Sequence, residues 1–69
     1  MRIYQYQIDF GFTTSNGEEY RDSSPSWFYS KEDAEMSIEL LRDGKNKWAK
    51  GTYLGCKNAS QMEAWRLCG

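Results

Sequence analysis

Cys56, Cys68 and the adjacent carboxylates Glu18-Glu19 are the side chains of this 69-residue sequence best suited by type to covalent or acid–base chemistry. A cysteine nucleophile needs a neighbouring base or the positive end of a helix to generate its thiolate. Histidine is absent, which removes the commonest general base and any Ser–His or Cys–His pair. Neither cysteine stands at a convincing helix N-terminus. Glu18 and Glu19 flank a turn and read as solvated charges rather than as an acid–base pair. Two cysteines without histidine cannot complete a structural zinc site. Gly51-Thr52-Tyr53-Leu54-Gly55 lacks the lysine and the spacing of a phosphate-binding loop. The expectation is a non-enzymatic protein with no metal and no cofactor.

Recognition is better supplied than catalysis. The net charge of −1 conceals a strong asymmetry: residues 1–41 carry net −5 and residues 42–57 carry net +4. Glu32, Glu35 and Glu39 recur at helical spacing and form an acidic strip suited to a basic surface on another protein, including one that ordinarily holds nucleic acid. Met36 with Leu40, and Trp27 with Trp65, are candidate apolar anchors, because tryptophan is enriched at interface hot spots and methionine adapts to irregular partners. The competing expectation is that these four pack internally, between the two helices. The segment Lys45, Lys47, Trp48, Lys50, Tyr53 interleaves cations with rings, the pattern that holds single-stranded nucleic acid. Lysines on an exposed edge strand also guard against edge pairing. Trp48 and Tyr53 have opposite strand parity, so without a bulge at most one of them is expected to face out.

These groups must be positioned by a small scaffold. One domain of 69 residues has little core to spend, and such chains need a staple, a partner or dense packing. Three Trp, five Tyr and three Phe predict a core built mainly from rings, with Ile3, Ile8, Ile38 and the methionines filling gaps. No apolar run is long enough to span a membrane and no secretory signal is visible, which predicts a cytoplasmic protein with reduced cysteines. Asn58-Ala59-Ser60 matches a glycosylation acceptor but reads here as a helix start.

Tyr4, Tyr6, Ile8, Phe10 and Phe12 alternate with Gln5, Gln7, Asp9 and Gly11, which predicts a strand with one buried and one wet face. A three-residue loop, Ser15-Asn16-Gly17, places Phe12 opposite Tyr20 and Tyr4 opposite Phe28, with rings beside rings. Pro25 makes the second strand an edge strand or bends it. Ser30 starts a helix that Gly44 ends, with Ala34, Ile38 and Leu41 facing the sheet. Residues 47–56 form a third strand, placed by a right-handed crossover on the free side of the first. Ser60-Gln61-Met62-Glu63 opens a short tail helix, expected to dock on Met36 and Leu40 or on the open edge of the sheet.

The predicted fold is α+β: a three-stranded antiparallel sheet of order 2-1-3 with one helix on a face and a short C-terminal helix. The predicted function is a small protein-binding module whose partner is a larger protein or protein–nucleic-acid complex. Nucleic-acid binding through residues 45–57 and a homodimer are the alternatives, and no membrane partner is expected. In size, aromatic content and mild acidity the chain resembles the short inhibitors of host machinery encoded by bacteriophages and mobile elements, such as anti-CRISPR proteins. That resemblance implies action by steric or electrostatic blocking.

Overall fold

The alternating segment becomes the central strand of an open sheet. A computed structural model describes residues 1–69 as β1 (Arg2–Thr13), β2 (Glu19–Phe28), α1 (Lys31–Arg42), β3 (Lys47–Asn58) and α2 (Gln61–Cys68). The strand order is β2-β1-β3, with both pairings antiparallel. Gly17 takes the left-handed conformation (φ 84°) that closes a three-residue loop between Thr14 and Glu18. The resulting register sets Phe12 opposite Tyr20 and Tyr4 opposite Phe28, and the Phe12 and Tyr20 rings stack at 5.2 Å. Ser30 and Ser60 cap the helices, each hydroxyl accepting the N–H three residues on, at 3.0 Å from Asp33 and 3.1 Å from Glu63.

Both sheet edges are blocked against further pairing. Proline has no N–H, so Pro25 is accommodated with its nitrogen turned away from β1, and Ser23 then points its N–H to the same free edge. That N–H is taken by the Asp22 carboxylate at 2.8 Å. On the opposite edge the Ala49 carbonyl accepts Arg42 Nε at 2.8 Å. The register shifts at Gln5/Tyr6, where Leu54 is the extra residue of a bulge and Gly55 has φ 144°.

Burial departs from the one-faced strand expected. Ile8 packs with Ile38 and Ala49 on the α1 side, while Ile3 packs with Ala59 and Ala64 on the other side, beneath α2. The chain ends of this second cluster are tied by reciprocal hydrogen bonds between Met1 and Ala59, both 2.7 Å. Every isoleucine and every alanine is buried, and Gly11 with them, but no aromatic residue is. The rings and methionines therefore do not fill the core. They surround two small aliphatic clusters, because a single-layer sheet with two short helices encloses too little volume for rings. Leu41 borders the α1 cluster and stays exposed. The strands set the shape, 46 × 18 × 17 Å with a radius of gyration of 13.8 Å, against about 11 Å for a compact chain of this length.

Candidate partner-binding surfaces

At 3.6 residues per turn, the burial of Ala34 and Ile38 turns Met36 and Leu40 to the far side of α1. Met36 is 63% exposed and Leu40 is 71% exposed. α2 does not cover them, contrary to the docking expected from sequence, because its buried Ala64 commits it to Ile3 and Ala59 on the opposite face of the sheet. Packing of both between the helices is therefore overturned. Glu32, Glu35 and Glu39 flank the same ridge and line, with Met36 and Leu40, a depression of about 790 Å³. Arg42 is the one cation lining it, 3.5 Å from Glu39 and held across the β3 edge by its bond to Ala49. Five of the seven candidate partner-binding residues read from sequence thus lie together on one acidic, apolar face.

The tryptophans lie elsewhere. Trp27 is half-buried against the Ile3–Ala59–Ala64 cluster with Lys57 Nζ 5.0 Å from its ring centre, so its contacts hold α2 in place. Trp65 is 71% exposed on α2 and shares a shallow depression with Met62. Its ring is a separate surface feature, not an extension of the α1 face.

The basic segment is divided by the sheet. Lys45 lies in the turn before β3. Lys47 and Tyr53 stand opposite Phe12 and Tyr6 on the α1 side, whereas Trp48 and Lys50 stand opposite Gly11 and Asp9 on the open face. Trp48 and Tyr53 do occupy opposite faces, yet both remain exposed, because α1 leaves the Tyr53 end of its own face uncovered. There Lys31 Nζ lies 4.8 Å from the Tyr53 ring, which meets Tyr6 edge-on at 5.3 Å. Hydrogen bonding with the Cys56 side chain, and then partial loss of water to its neighbours, hold the Tyr53 phenol above its ordinary pKa. Cys56 and Cys68 are free thiols, the first exposed and the second half-buried.

Sequence reading missed the company Trp48 keeps. A Cβ at Gly11 would overlap the Tyr20 carbonyl oxygen and lie 2.7 Å from Trp48 Nε1, so the indole packs on a bare glycine. Asp9, Arg21, Asp22, Ser23, Trp48 and Lys50 line a depression of about 610 Å³. Two cations there are balanced by two carboxylates, which leaves the depression without the net positive charge that phosphate binding calls for. An aromatic residue opposite a strand glycine was the available signal, but it needed the β1–β3 register.

Compared with models of protein families, curated proteins and solved structures, the chain matches none. No helix is long and apolar enough to cross a membrane.

Proposed function

We propose that the protein is a non-enzymatic binding module that docks the outer face of α1 onto a basic surface containing an apolar pocket on a larger protein or protein–nucleic-acid complex. The observation that carries this reading is the Met36–Leu40 ridge, exposed beside Glu32, Glu35 and Glu39. Removing two side chains of this size from water is worth about 2–4 kcal/mol, allowing for the part already covered. The carboxylates steer encounter and select a basic partner. A second copy is a poor occupant, because a two-fold contact across this ridge sets each acidic strip against its twin. Edge-to-edge pairing is opposed by Pro25, by the Asp22–Ser23 bond and by the bulge at Leu54.

The molecule also has surface to spare. Its accessible area is 5175 Å², roughly 15% above the area usual for a folded monomer of this mass. Where that basic surface is one that holds nucleic acid, occupancy by α1 would block it, the inhibitory mode implied by the resemblance to mobile-element proteins. Capture from a lysate of the cells that encode the chain tests the reading. Glu35→Lys and Leu40→Gln should each lose the protein captured by the wild type, and Lys50→Glu should retain it. Retention by Glu35→Lys and Leu40→Gln would refute the docking face. Loss with Lys50→Glu alone would favour the nucleic-acid alternative.

A further inference from the structure

We infer that the groove between α1 and α2 receives the apolar side of an amphipathic helix of the partner, basic on the flank that meets α1; this rests on the partner-binding reading above. The groove has a volume of about 690 Å³, and Phe10, Trp27, Phe28, Leu40, Leu41 and Leu67 supply most of its apolar lining. Leu40 lines both this groove and the acidic depression beside it. A ligand seated in the groove therefore reaches the carboxylates by crossing one side chain.

The backbone of β2 decides the form of the occupant. An extended segment would bind by adding a strand to this edge, and its affinity would come from main-chain hydrogen bonds. Pro25 offers no N–H, and the Ser23 N–H is engaged by Asp22. Two successive edge positions thus lack the donors that strand addition needs. A helix satisfies its own backbone and asks only for an apolar trough.

Charge sets its orientation. Along α1 the trough itself is lined by the neutral Ser37, Leu40 and Leu41, and across the Leu40 ridge lie Glu32, Glu35 and Glu39. On the α2 wall the one charged lining residue is Arg66. The complementary helix carries Leu, Ile or Met at i, i+3, i+4 and i+7, Lys or Arg on the α1 flank, and neutral or acidic residues on the α2 flank. A second copy of this chain does not fit that description, since α1 is acidic on its exposed side.

The test is a titration of methyl-labelled full-length protein, followed by NMR, with three synthetic helical peptides. One has a leucine stripe and lysine flanks, one the same stripe with glutamate flanks, and one lysines without the stripe. Saturable shifts of the Leu41 and Leu67 methyls with the leucine–lysine peptide are expected, with at least tenfold weaker binding of the other two. Leu67→Gln and Ser37→Lys should each weaken that binding at least fivefold. Shifts at Met36 and Leu40 with Leu41 and Leu67 silent would overturn the groove and leave the α1 docking face standing. Equal response to lysine and glutamate peptides would overturn the charge assignment. Silence with all three peptides would overturn the groove, while lysate capture lost by Leu40→Gln would still support the docking face. Concentration-dependent shifts without peptide would assign the groove to a second copy and overturn the inference.

Discussion

Ile38 and Leu40 are two residues apart on one helix and should respond very unequally to substitution. Ile38 is 8% exposed, packed on Ile8 and Ala49 and over Gly51, where an added Cβ would overlap its Cδ1. Burial of such a side chain is worth about 1.5–3 kcal/mol, and the cavity left by Ile38→Ala raises the loss to about 2–5 kcal/mol. A domain of this size has only about 3–5 kcal/mol in total, so Ile38→Ala should be mostly unfolded or close to it. Leu40 is 71% exposed, and Leu40→Gln should change stability by no more than about 0.5 kcal/mol. Urea denaturation followed by tryptophan fluorescence measures both. With a slope near 1 kcal/mol/M, the midpoint of Leu40→Gln should stay within about 0.5 M of wild type, while that of Ile38→Ala falls by about 2 M or more. A large fall for Leu40→Gln would make Leu40 a core residue and remove the reason to assign α1 a partner.

Gly11→Ala should destabilise by about 1–3 kcal/mol, since the new methyl meets a backbone carbonyl as well as the Trp48 indole; a denaturation midpoint equal to wild type would contradict that packing. Ser60→Ala removes the α2 cap and should cost about 1 kcal/mol, with faster amide exchange throughout α2. Burial, and then Asp33, push the Cys68 thiol up, so the folded state holds this proton more tightly than the unfolded chain. The stability involved is present below the unfolded thiol pKa, about 8.5, and is lost as pH rises through the higher folded value. Thermal melts between pH 8 and 11 should therefore fall more steeply for wild type than for Cys68→Ser, and parallel curves would remove the effect.

Much of the scaffold was legible because local rules govern it. The alternation from Tyr4 to Phe12 identified the central strand, the pairing of rings with rings selected the register and hence the three-residue loop, and Ser30 and Ser60 marked the helix starts. Pro25 placed β2 at an edge. Ile3 was expected in the core and is buried there, but its place on the face away from α1 was not legible, because nothing nearby in sequence covers it. Its cover comes from Ala59 and Ala64, more than fifty residues away, through the Met1–Ala59 pairing. The same cause misdirected α2 toward Met36 and Leu40. On α1 the grouping of Glu32, Glu35, Glu39, Met36 and Leu40 followed from helical period alone. The grouping of Trp48 with Arg21 on the open face depended on two cross-strand registers, one containing the Leu54 bulge.

Photo-crosslinking from chosen positions tests the docking face most directly. With a benzoylphenylalanine at Met36 or at Trp48, both exposed, irradiation in the cells that encode the chain should yield a discrete adduct from position 36 and none from position 48. The adduct from position 36 should disappear when Glu35→Lys is added. An adduct from position 48 alone, or one from position 36 that survives Glu35→Lys, would contradict docking through the acidic, apolar face of α1.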